Sequence, residues 1–148
     1  MDDQLKLQNQ LCFPIYTASR LVTQCYHPIL KELDLTYPQY LVMLVLWEKD
    51  EVNLSFLTEK LMLKTNTLTP LVKRMESMEL LTRERSAQDE RNIIITLTEK
   101  GKQLKDKAVD IPQNLFNNIG ISMEKAEQLY ALLYEVIEQL EDQKETCH

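Results

Sequence analysis

The sequence predicts a mainly α-helical chain with one small β-hairpin, and two observations carry that reading. Residues 53–97 run as a short apolar-periodic segment, a turn, a longer segment opening on Thr65-Asn66-Thr67, and two alternating runs around a charged loop. Apolar stripes at helical spacing occupy both ends of the chain. Helix, turn, helix and hairpin is the order of a winged helix-turn-helix, and the terminal stripes supply a dimerisation region. The expected organisation is a dimerisation helix over 1–34, a winged helix-turn-helix DNA-binding domain over 35–104, and dimerisation helices over 105–148.

Taken in order, residues from about Leu5 to Leu33 read as one long helix through Leu7, Leu11, Ile15, Ala18, Val22 and Ile29, with kinks or breaks expected near Pro14 and Pro28. Thr36-Tyr37-Pro38-Gln39 then restarts a helix, the threonine capping it and the glutamine three residues on reaching back. Tyr40 to Trp47 is almost wholly apolar, as in a helix packed on all sides, and the polar stretch Glu48 to Asn53 leads onward. Asn53 is a candidate cap for the first helix of the pair, which carries Leu54, Leu57, Leu61 and Met62.

The second helix is expected to be capped by Thr65. Leu68, Leu71, Val72, Met75 and Met78 form its apolar face, while Thr67, Thr69, Lys73 and Arg74 fall on a short, polar and basic face suited to a major groove. Pro70 sits within its early turns. Leu81–Arg85 and Asn92–Leu97 read as strands joined by Ser86-Ala87-Gln88-Asp89-Glu90-Arg91. Thr98-Glu99-Lys100-Gly101 opens another helix toward Ala108, broken or bent at Asp110-Ile111-Pro112. Ser122 caps the last, striped by Ala126, Leu129, Leu133, Val136, Ile137 and Leu140. Such a stripe needs a partner, either the N-terminal helix of its own chain or a second subunit.

The formal net charge of −6 argues at first against a nucleic-acid partner, because duplex binding rests on neutralising phosphates. The distribution reverses this. Lys60 to Arg91 holds seven basic and five acidic residues, +2, leaving −8 for the remainder. That asymmetry suits a protein showing DNA one face, and equally a solvated surface with a chance excess. On the first reading Thr65, Asn66, Thr67 and Thr69 stand at the groove end of the second helix. Lys73 and Arg74 reach phosphates or base edges, Arg83 and Arg85 touch phosphate, and Arg91 enters a minor groove with Asp89 orienting it.

Three cysteines, Cys12, Cys25 and Cys147, and two histidines, His27 and His148, match neither a disulfide framework nor a metal site of usual spacing. With two glycines there is no phosphate-cradling loop, so neither metal nor cofactor is expected. No apolar run reaches the length of a membrane span and the N-terminus lacks the order of a signal peptide, so a cytoplasmic protein without membrane contact is expected.

Thr67-Leu68-Thr69-Pro70-Leu71-Val72-Lys73-Arg74-Met75-Glu76, Asp89-Glu90-Arg91 and Leu97-Thr98-Glu99-Lys100-Gly101, in this order of elements, closely resemble the MarR family of transcriptional regulators over nearly the whole chain. Gln10-Leu11-Cys12-Phe13, Tyr26 and Leu35-Thr36-Tyr37-Pro38-Gln39-Tyr40 resemble its organic hydroperoxide resistance regulators. The resemblance implies a homodimeric, oxidation-sensing repressor, not an enzyme, that binds a near-palindromic double-stranded operator. In that branch the cysteine matching Cys12 is held as a thiolate by hydroxyls matching Tyr26 and Tyr37 of the opposite subunit, and oxidation lowers DNA affinity. The residue types suit this, since a thiolate attacks a peroxide oxygen and phenol donors favour the charged form. Two-cysteine members carry a resolving cysteine about where Asn117 stands. Capping of oxidised Cys12 by a low-molecular-weight thiol is therefore the favoured scheme, ahead of Cys25 or Cys147 as the resolving partner. The alternative is a regulator answering a small aromatic ligand, with Cys12 structural. A thiol peroxidase has no acid-base partner in its support.

Overall fold

The computed structural model describes residues 2–143. Two 3-10 turns, Asp2–Leu5 and Leu7–Asn9, precede α1 (Cys12–Lys31), followed by α2 (Tyr37–Glu48), β1 (Val52–Asn53), α3 (Leu54–Leu61) and α4 (Thr65–Ser77). The order continues with β2 (Leu81–Arg85), β3 (Ile93–Leu97), α5 (Glu99–Ala108), α6 (Ile111–Ile119) and α7 (Met123–Asp142). The chain divides into two compact units, Met1–Pro112 and Gln113–His148.

The first unit is a winged helix-turn-helix. The sheet order is β1-β3-β2, antiparallel throughout, with Val52 opposite Ile95 and the β2–β3 hairpin in register from Leu81 opposite Leu97 to Arg85 opposite Ile93. β1 was not expected, because two residues are too few to show an alternation. Asp50 sets it in place: its Oδ1 accepts the Glu51 N–H at 2.7 Å and the Leu97 N–H at 2.8 Å, pinning the end of α2 to the end of β3.

Several helix starts follow side-chain chemistry, whereas α1 begins after Leu11 with no side-chain cap. Thr36 and Gln39 form a reciprocal capping box on α2, Asn53 caps α3 through the Phe56 N–H, and Ser122 caps α7 through the Lys125 N–H. α4 departs from expectation. Its cap position is Lys64, which makes no side-chain bond, and Thr65 is the first helical residue. Pro70 leaves α4 unbroken, being exposed where water can satisfy the freed carbonyl. α1 is shorter than expected. It starts at Cys12, so Pro14 lies in the first turn, where a missing N–H costs no intrahelical bond, and only Pro28 is interior.

The core sits where α2, α3, α4 and the sheet meet. Tyr40, Val42, Met43 and Leu46 of α2 pack with Leu57, Leu68, Val72, Met75, Leu81 and Ile95, all essentially inaccessible. Burial of each large side chain contributes about 1.5–3 kcal/mol. α2 is not packed on all sides, since Leu44 faces outward, and Tyr16 of α1 is exposed as well. The LTEKG stretch closes the hairpin onto the helices. Thr98 caps α5 through the Gly101 N–H and donates its hydroxyl to the Glu79 carbonyl, while Trp47 Nε1 donates to the Gly101 carbonyl at 3.0 Å. A Cβ on Gly101 would stand 2.2 Å from the Leu80 carbonyl oxygen. No helix among the described residues is long and apolar enough to cross a membrane.

Candidate functional site

Two constellations emerge, one on the head and one on α1 and α2. On the head, Leu68, Val72 and Met75 anchor α4 in the core at helical spacing, which turns Thr65, Asn66, Thr67, Lys73 and Arg74 to solvent and leaves Thr69 half-buried. No side chain caps the first turn of α4, so its free N–H groups face outward with the threonines and asparagine.

The wing follows its own logic. Asp89 organises the tip: its Oδ1 accepts the Arg91 N–H at 3.0 Å and Arg91 Nε at 3.4 Å, and its carbonyl accepts the Asn92 N–H. The Arg91 side chain is otherwise bare, 92% exposed. It also borders, with Asn92, a cleft of about 160 Å³ shared with Thr65 at the start of α4 and Ser55 of α3. Wing and α4 therefore meet around one concavity. Arg85 is exposed on β2.

Arg83 behaves differently. Its side chain is only 20% exposed, with Nε 3.5 Å from Glu76 Oε1, an ion-pair distance rather than a hydrogen bond. Its backbone N–H donates to Glu76 Oε2 at 2.8 Å. Arg83 thus ties the wing strand to the last turn of α4. Glu76 was not singled out in the sequence, since nothing local marks a contact seven residues away.

The second constellation is aromatic. Tyr26 of α1 and Tyr37 of α2 pack against each other with centroids 4.7 Å apart and rings tilted by 39°, and Tyr40 lies 5.7 Å from Tyr26 and 6.5 Å from Tyr37. In sequence Tyr40 reads as the start of the apolar run of α2. The spacing of three from Tyr37 on one helix was the available signal that it shares this cluster. Burial, with the neighbouring Tyr37 and Tyr40 adding to it, pushes the Tyr26 hydroxyl up to about 12, and burial raises Tyr37 and Tyr40 as well. These phenols therefore stay protonated, and able to donate, across the neutral range.

Cys12 stands exposed as the first residue of α1. Tyr26 follows it by fourteen residues on the same helix, and a rise of 1.5 Å per residue separates them by about 21 Å. Within one chain the sulfur does not meet the phenols. Cys25 is half-buried beside Tyr26; Cys147 and His148 lie outside the described residues. Asn117 accepts a hydrogen bond from Gln113. His27, with Thr23, Leu30, Leu35 and Tyr37, lines a cavity of about 270 Å³ between α1 and the start of α2. A second, apolar groove of about 300 Å³ runs between α2 and α5, lined by Tyr40, Leu44, Trp47, Ala108, Val109 and Pro112 with Lys105 and Glu48 at its rim. Among the described residues no cluster of His, Cys, Asp and Glu could hold a metal ion.

A three-stranded wing folded onto an exposed, uncapped helix defines a winged helix-turn-helix protein. A family profile described as transcriptional regulator SarA/Rot matches residues 24–108. The chain is 48% identical over 138 residues to the organic hydroperoxide resistance transcriptional regulator of Bacillus subtilis (strain 168), covering 93% of this chain and 94% of that one. It is 37% identical over 146 residues to the HTH-type transcriptional regulator MgrA of Staphylococcus aureus, covering 98% and 99%. The structure of reduced AbfR bound to DNA superposes with a TM-score of 0.78 at 36% identity, covering 94% and 97%; AbfR has been solved from Staphylococcus epidermidis. The chain belongs to the MarR family of transcriptional regulators, in the branch of the organic hydroperoxide resistance regulators.

Proposed function

We propose that this chain is a homodimeric, DNA-binding repressor that weakens its grip on a near-palindromic operator when an organic hydroperoxide oxidises Cys12. The observation that carries the reading is the pairing of Tyr26 and Tyr37 at 4.7 Å on one wall while Cys12 stands about 21 Å up the same helix. A thiol and its donors so separated are brought together by a second copy related by a two-fold axis. The cavity of about 270 Å³ beside Tyr37 leaves room for that approach. Two relatives support it by their names: a regulator of organic hydroperoxide resistance, and AbfR, solved in a reduced DNA-bound form and in a disulfide form.

The Cys12 thiolate, held by donation from Tyr26 and Tyr37 of the partner chain, attacks the terminal oxygen of the hydroperoxide. A sulfur–oxygen bond forms, the O–O bond breaks, and the alkoxide leaves and takes up a proton as the alcohol. The resulting sulfenic acid accepts the phenols in a different geometry, and a low-molecular-weight thiol converts it to a mixed disulfide with loss of water. Sulfur and phenols belong to different subunits, so the changed fit displaces one subunit against the other and the two heads lose register with successive major grooves.

On the duplex, Thr65, Asn66, Thr67 and Thr69 lie at the groove end of α4, and Lys73 and Arg74 reach phosphate or base edge. Arg85 touches phosphate, Arg91 enters the minor groove oriented by Asp89, and Arg83 acts through the placement of the wing. The deciding experiment compares operator binding of Cys12→Ser and the parent chain before and after an organic hydroperoxide. The serine variant binds equally and stays bound on oxidant. A variant that releases DNA as readily as the parent removes the sensor assignment.

A further inference from the structure

The ten residues before α1 are ordered yet bury nothing apolar. Asn9 Nδ2 donates to the Asp3 carbonyl and Gln10 Nε2 to the carbonyls of Gln4 and Lys6, while Lys6 pairs with Asp3. These polar ties accompany two consecutive 3-10 turns from which Leu5, 84% exposed, and Leu7, 59% exposed, stand out, and Leu11 at the start of α1 is 75% exposed. A segment built to hold three leucines in water is incomplete by itself.

We propose that this N-terminal arm of one subunit seats its leucines in the α2–α5 groove of the other, so that a second copy of this chain covers the groove. The inference rests on the dimeric reading above, and continuity with that interface is what selects the occupant. When Cys12 meets Tyr26 and Tyr37 of its partner, the residues just before it lie against the same wall. Tyr40 belongs to both features: it closes the phenol cluster and lines the groove with Leu44, Trp47 and Val109. The arm reaches far enough, since seven residues from Leu5 to Cys12 at a rise of about 2 Å span about 14 Å. The groove walls are mainly apolar, matching leucine rather than the charged residues of the arm. Seated this way, the arm fixes the depth at which Cys12 enters the phenol cluster. A bulkier adduct on the sulfur would lift the arm with it.

Two full-length variants test the contact, one carrying Leu7→Cys and the other Val109→Cys, both with Cys12→Ser, Cys25→Ser and Cys147→Ser. Mixed and mildly oxidised, they are expected to form a covalent dimer of unlike chains. A chain carrying both new cysteines is expected to give covalent dimers rather than an internal loop. Absence of the unlike dimer, or closure within one chain, overturns the proposal. A parallel Tyr37→Cys chain with native Cys12 and with Cys25→Ser and Cys147→Ser separates the two readings. Its covalent dimer without the Leu7–Val109 one refutes the arm and leaves the sensor standing, whereas loss of both refutes the dimeric arrangement as well. Trp47 is the only tryptophan in the chain, so its emission gives a second readout. The full-length double variant Leu5→Ser, Leu7→Ser is expected to shift it to the red while the protein remains dimeric. An unmoved spectrum means the groove is covered by something else.

Discussion

Removing the Arg91 side chain would separate the proposed DNA contact from fold stability. The guanidinium is 92% exposed and makes one ion pair, to Asp89 at 3.4 Å. An exposed pair of that kind contributes at most about 1 kcal/mol and commonly nothing measurable. The tip turn does not depend on it, because Asp89 Oδ1 keeps the Arg91 backbone N–H at 3.0 Å. Arg91→Ala should therefore leave the urea midpoint unchanged. On DNA, a dimer loses two cations, and at about 0.9 counterions per phosphate the slope of log K against log salt becomes shallower by roughly 1.8. Between about 50 and 200 mM salt the parent protein would then lose roughly twelvefold more affinity than the variant. Fluorescence anisotropy on a labelled operator across that range reads both quantities. Equal slope and equal affinity would refute the placement of Arg91 at the duplex.

Glu76→Ala should act in the opposite sense, since it strips the Arg83 backbone N–H of its acceptor and leaves a largely buried guanidinium without its counter-charge. A loss of about 1–3 kcal/mol in chemical denaturation is expected, together with weaker operator binding whose salt slope stays near that of the parent. Gly101→Ala forces a methyl group to within 2.2 Å of the Leu80 carbonyl, backbone that cannot turn aside. A cost of about 1–3 kcal/mol and a changed Trp47 emission should follow, because the Trp47 indole donates to the Gly101 carbonyl. The raised tyrosines make an alkaline prediction. With Tyr26 near 12 in the folded chain against 10 unfolded, the native state binds more protons through that interval, so stability falls as pH climbs from about 10 to 12. Tyr26→Phe should flatten that slope in pH-dependent urea titrations, and an unchanged slope would place the effect elsewhere.

Much of the fold was legible because its signals are local. Caps at Thr36, Asn53 and Ser122, the leucine and valine spacing of α4, and the alternation of 81–85 against 93–97 each need only a few neighbouring residues. What the sequence hid was non-local. β1 exists because Asp50 reaches the Leu97 N–H across 47 positions, and Arg83 turns inward because Glu76 waits at the end of the preceding helix. Lys64 displaced Thr65 as the cap for a related reason: the tight turn after α3, with Met62 in the left-handed region at φ 54°, fixes where α4 can start. Pro14 misled in the other direction. A proline reads as a helix breaker until the start of the helix is known, and here α1 begins two residues before it.

The two halves of the proposed function make the same demand on the molecule. A chain of net charge −6 can approach a polyanion only by presenting its +2 segment, and one segment of that size neutralises few phosphates; a second head doubles the count without adding charge elsewhere on the contact face. The thiol makes an equally strict demand, since α1 itself, as a rigid spacer, holds Cys12 about 21 Å from Tyr26. The exposed leucines and tyrosines of α7, among them Leu129, Leu132, Leu133 and Leu140, leave a third surface uncovered. In the proposed dimer, each would be met by a second copy. Because the sulfur and the phenols would then sit on opposite sides of one interface, a change of a single oxygen at Cys12 acts on subunit orientation directly, and the winged heads need no separate relay to sense it.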